Sequence, residues 1–64
     1  MYKIYYNSAS DSLEYTTDSA IYTVEFPTKV IAISLLTNEQ VSMTVNRETA
    51  ENLMIDEWDI YITD

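Results

Sequence analysis

VSMTVNRETAENLMIDEWDIYIT, residues 41–63, changes its apolar period twice, and that change decides the class of the fold. In 41–45, Val41, Met43 and Val45 alternate with polar residues, the pattern of a half-buried strand. From Asn46 the spacing lengthens. Ala50, Leu53 and Met54, with Glu57 at the end, fall on one helical stripe whose apolar part should face a sheet. Asn46 can cap the first N–H groups, and Glu48 and Glu51 occupy the first turns, where the helix dipole favours acids. At Trp58 the period returns to two, with Trp58, Ile60 and Ile62 inward and Asp59, Tyr61 and Thr63 outward. A single helix near 47–57 therefore stands between two strands.

Upstream, short polar breaks separate further strand patterns. Residues 1–7 alternate, with Tyr2, Ile4 and Tyr6 on one face; 8–12 form a loop of residues that bond their own backbone. In 13–17, Leu13 and Tyr15 point inward and Glu14 and Thr16 outward. Residues 20–26 are rich in β-branched and aromatic residues and end at Pro27, which cannot donate to a ladder. The run 29–36 is apolar on both faces, as a strand covered on both sides would be. A helix over 28–40 competes there, and the valine and isoleucines favour the strand. The expected fold is α+β: a small curved antiparallel sheet of about five to six strands with one helix packed on it, in a single domain over 1–64. With no glycine in the chain, tight primed hairpin turns are disfavoured, and loops should rest on Asn, Asp and Ser.

At 64 residues the core is near the lower limit for independent folding. Chains below roughly 70–80 residues usually add disulfides, a metal or an oligomer interface. Cysteine and histidine are absent, which leaves packing, a homodimer or a permanent partner as sources of stability. The lack of cysteine, and of an apolar signal-peptide core in residues 1–6, gives the expectation of a cytoplasmic protein. No apolar run approaches bilayer length.

Eleven acids against Lys3, Lys29 and Arg47 give a net charge of −8. Nucleic acid and anionic membranes would repel such a chain, whereas basic protein surfaces would attract it. Acidity also serves solubility. Serine or cysteine nucleophiles lack an imidazole, phosphate-cradling loops lack glycine, and the acids match no calcium-loop spacing. We therefore expect no enzyme, metal or cofactor.

Two features remain as candidates. Six tyrosines are present, and outward Tyr5 and Tyr61 suit a contact surface, neighbouring each other if the first and last strands pair. The second is the acidic end of the helix. Asp56 and Glu57 lie where the dipole disfavours acids by about 0.3–1 kcal/mol each, with Asp59 following. In extended chain Glu57 and Asp59 would stand roughly 6.8 Å apart on one face. With Glu51, Asp56 and Asp64 they could present a line of negative charge resembling a phosphate backbone. The expected function is inhibition of a protein with a basic nucleic-acid-binding surface. In size and charge alone, the chain is similar in type to viral and mobile-element inhibitors of restriction, CRISPR and DNA-repair enzymes. The alternative is a homo-oligomeric or accessory assembly module acting through tyrosines and strand edges.

Overall fold

The apolar run after Pro27 forms β5 (Thr28–Ser34), where β-branched Val30, Ile31 and Ile33 favour extended backbone. The computed structural model describes residues 1–63, so Asp64 lies outside the described residues. Strand β5 pairs antiparallel with β6 (Gln40–Val45) on one side and β7 (Trp58–Ile62) on the other. Beyond β7 lies the short β1 (Tyr2–Lys3), so the larger sheet runs β1-β7-β5-β6. A second sheet is the antiparallel meander β2 (Tyr5–Asn7), β3 (Ser12–Thr16) and β4 (Ile21–Thr23). Helix α1 (Arg47–Ile55) connects β6 to β7 and packs on both. The class is α+β, with a single helix among the described residues.

Register builds the core. Val30 stands opposite Met43 and Ile62, and Ala32 opposite Val41 and Ile60, so the middle of one face of the larger sheet is apolar, with Thr28 and Ser34 at its two ends. Buried Val30, Ala32, Val45, Ile60 and Ile62 meet Ala50 of α1 and Ile4, Leu13 and Val24 from the side of the second sheet. The small side chain at Ala50, fully buried, lets the helix approach closely. The opposite face carries Ile31, Ile33 and Tyr61, half-buried and apart from the core cluster. The expected cover on both sides of this strand is thus a cover on one.

The expected first strand divides at Ile4. Its N–H donates to the Ile60 carbonyl at 2.8 Å, the last bond to the larger sheet, and Tyr5 then pairs across to Glu14. Ile4 fills the seam between the sheets at 1% exposure, whereas Tyr2 and Tyr6 are exposed. The strand expected over 20–26 shortens to β4, because Val24 turns into the core while Ile21, Tyr22 and Thr23 stay exposed. Leu35 and Leu36 belong to the turn after β5 and are exposed.

Glu14, expected outward, is 8% exposed. The loop between β2 and β3 supplies the reason. The Glu14 carboxylate accepts from Asn7 Nδ2 at 3.0 Å, Ser12 Oγ at 3.1 Å and Ser10 Oγ at 3.3 Å, replacing the water it loses. These bonds, that from Asn7 foremost, hold its pKa below the ordinary 4.5.

Candidate protein-binding site at the helix end

The helix starts as its sequence indicates, with the Asn46 side chain accepting from the Thr49 N–H at 2.8 Å. It stops at Ile55. The Asp56 N–H reaches the Asn52 carbonyl at 3.0 Å, and the Glu57 N–H reaches Met54 at 3.2 Å. Glu57 then turns left-handed, at φ 66°. In this glycine-free chain positive φ falls also on Asp11 and Asn38, residue types that tolerate it. A glutamate does not share that tolerance, and the conformation costs roughly 1–2 kcal/mol. Glu57 and Asp59 therefore do not form an extended pair, since Glu57 lies in the turn and Asp59 in β7.

Asp56 and Glu57 are exposed, and among the described residues no cation stands within ion-pair distance of either. The last turn of α1 holds no basic residue. Asp59 is half-buried and paired with Lys3 at 3.3 Å. Glu51 accepts from Arg47 Nε at 3.2 Å. Arg47 also donates from Nη2 to the Asp11 carbonyl at 2.8 Å and to Asp11 Oδ1 at 3.2 Å, and the Tyr6 hydroxyl donates to Oδ1 at 2.9 Å. This chain of contacts fastens the β2–β3 loop to the start of α1. The Glu51 hydrogen bond raises the Arg47 pKa above its usual value, and the Asp11 bond raises that of Tyr6.

Two adjoining open clefts lie between these groups. The first, of about 470 Å³, is lined by Tyr6, Leu13, Glu51, Asn52, Met54 and Ile55. The second, of about 340 Å³, shares Tyr6 and Met54 and extends past Ile4, Leu35 and Trp58 to Tyr5, Glu57 and the Lys3–Asp59 pair. Of the residues the sequence singled out, Glu51, Glu57, Asp59 and Tyr5 thus line connected surface, and Asp56 adjoins them. Tyr61 does not join them. It stands on the open sheet face opposite Lys3 and Ile31, while Tyr5 faces Glu14 across the second sheet and bonds Thr16 Oγ1 at 3.0 Å.

Sequence reading missed the apolar half of this site. Tyr6 and Met54 each belong to a local pattern, the alternation of 1–7 and the helical stripe, but nothing local shows that they line one cleft. It also missed the stack formed by Tyr2, Tyr15 and Tyr22, with ring centroids 6.0 and 5.4 Å apart. Among the described residues no group of three His, Cys, Asp or Glu side chains could hold a metal ion, and no helix is long and apolar enough to cross a membrane. Comparison with protein-family models, curated proteins and solved structures finds no match to this chain.

Proposed function

We propose that this protein is a small acidic inhibitor that covers a basic surface on another protein, of the kind with which nucleic-acid enzymes hold phosphates. The observation that carries this reading is the pair Asp56–Glu57. Both are exposed, neither has a cation partner among the described residues, and both lie at the negative end of α1. Helix electrostatics opposes them and backbone conformation opposes Glu57, so a local rule is broken twice with no compensating ion pair among the described residues. A partner's lysines and arginines would supply that compensation. Net charge −8 steers encounter with such a surface and repels nucleic acid and anionic membrane.

The test compares the wild type with an Asp56→Asn/Glu57→Gln variant as bait in a host lysate, with elution in a salt gradient. Nucleic-acid-binding proteins that leave the wild type at moderate salt and fail to bind the variant support the reading. A partner indifferent both to salt and to the variant overturns it. One observation favours the second reading, an assembly module: edge strand β4 is exposed along its length, Ile21 at 64%, and offers an unpaired ladder. A monomer by sedimentation across the working concentration range removes its homo-oligomeric form.

A further inference from the structure

The two clefts beside the helix end are more than an acidic surface, because their floors are apolar. Ile55 is 76% exposed and Leu35 58% exposed, and they flank Tyr6, Met54 and Trp58. Apolar area left in water beside a concave surface marks a place that a partner covers. The surroundings fix the sign of that partner. Glu51, Glu57 and Asp59 line the clefts and Asp56 follows directly on Ile55, whereas Lys3 and Arg47 are already engaged by acids. A second copy of the chain, itself at −8, would bring acid to acid.

We infer that the clefts dock a protein segment carrying a large apolar side chain between lysines or arginines. The apolar side chain seats beside Tyr6 and Met54, and the flanking cations meet Asp56 and Glu57. This rests on the basic-surface reading and adds to it what the partner inserts. Charge sets encounter and register, and the apolar anchor sets affinity.

The probe is a short synthetic peptide of lysines and arginines with a central Leu-Phe pair, set against one with a central Ser-Ser pair. Each is titrated into the full chain while the Met54 methyl and Trp58 indole resonances are followed. The Leu-Phe peptide should bind at least about tenfold tighter, the preference expected from burying its two apolar side chains in part. Its shifts should centre on Met54 and Trp58. Ile55→Gln and Leu35→Gln alter exposed side chains and so spare the fold; together they should erase most of that preference while leaving the salt-sensitive binding common to both peptides.

Equal binding of the two peptides, or a preference that survives the paired variant, overturns the inference. Equal binding that still weakens with salt and with Asp56→Asn/Glu57→Gln leaves the basic-surface reading standing without it. Failure of both peptides to bind overturns the cleft inference. Movement of the Met54 and Trp58 signals with protein concentration alone also overturns it, by placing a second copy there.

Discussion

The backbone N–H of Leu35 donates to the carbonyl of Glu57 at 2.9 Å, tying the turn after β5 to the left-handed residue that ends α1. The bond runs between backbones, so the side chain at 57 is free to be something other than the residue that this backbone prefers.

Replacing Glu57 by glycine tests that separation. Glycine removes the steric cost of positive φ and an acid from the helix end, and it loses part of the gain through a more flexible unfolded chain. The net expectation is a stabilisation of about 1 kcal/mol. It should be read as a higher denaturation midpoint at unchanged slope. The same variant should bind the basic partner less tightly. Stability that falls, or binding that does not, would show that Glu57 is not held against its own backbone for contact.

The seam at Ile4 gives a second expectation. Ile4→Ala removes buried methyl groups where the two sheets meet and should cost about 2–5 kcal/mol, while Ile4→Val should cost about 0.5–1.5. For a domain of this length the whole stability is of order 3–10 kcal/mol. Thermal unfolding followed by circular dichroism should therefore show the alanine variant melting far below the wild type and the valine variant only slightly below it. Near-equal melting of the two would mean that the seam collapses around the cavity.

What the sequence made legible was local. Asn46 as cap, the 3.6 period of Ala50, Leu53 and Met54, and the alternation of Trp58, Ile60 and Ile62 each depend on near neighbours, and each appears in the fold. The break at Ile4 depends instead on a second sheet crossing the first, and nothing within residues 1–7 announces it. Glu14 is similar, since an alternating strand makes it outward until Asn7, Ser10 and Ser12 fold over it. The acids at the helix end were visible because they break a local rule. The left-handed turn at Glu57 was not legible, since the local pattern puts that residue on the helical stripe or in extended chain and the glycine that usually marks such a helix end is missing.

Glu14 predicts a pH response whose sign follows from its environment. Its folded pKa lies below 4.5, held there first by Asn7. The folded state therefore binds this proton less readily than the unfolded chain. The stability it contributes is fully present above about pH 4.5 and is lost as pH falls through the folded pKa. Carbon-detected NMR titration of the Glu14 carboxyl should give a midpoint below 4.5, moving upward in Asn7→Ala. A midpoint at or above that value in the wild type would remove the hydrogen-bonded carboxylate from the account.

Asn46 tests how far α1 depends on its cap. The side chain accepts from the Thr49 N–H at 2.8 Å, satisfying a donor that the helix cannot satisfy itself. Asn46→Ala should cost about 1 kcal/mol, and Asn46→Asp should retain most of that stability, because aspartate can accept the same bond and adds negative charge where the dipole favours it. The readout is amide exchange across Glu48–Glu51 together with the denaturation midpoint. Faster exchange in the alanine variant, restored in the aspartate variant, separates loss of the cap from a general loss of packing. Equal exchange in all three would mean that α1 is held by Ala50 and Leu53 against the sheet, with the cap contributing nothing measurable.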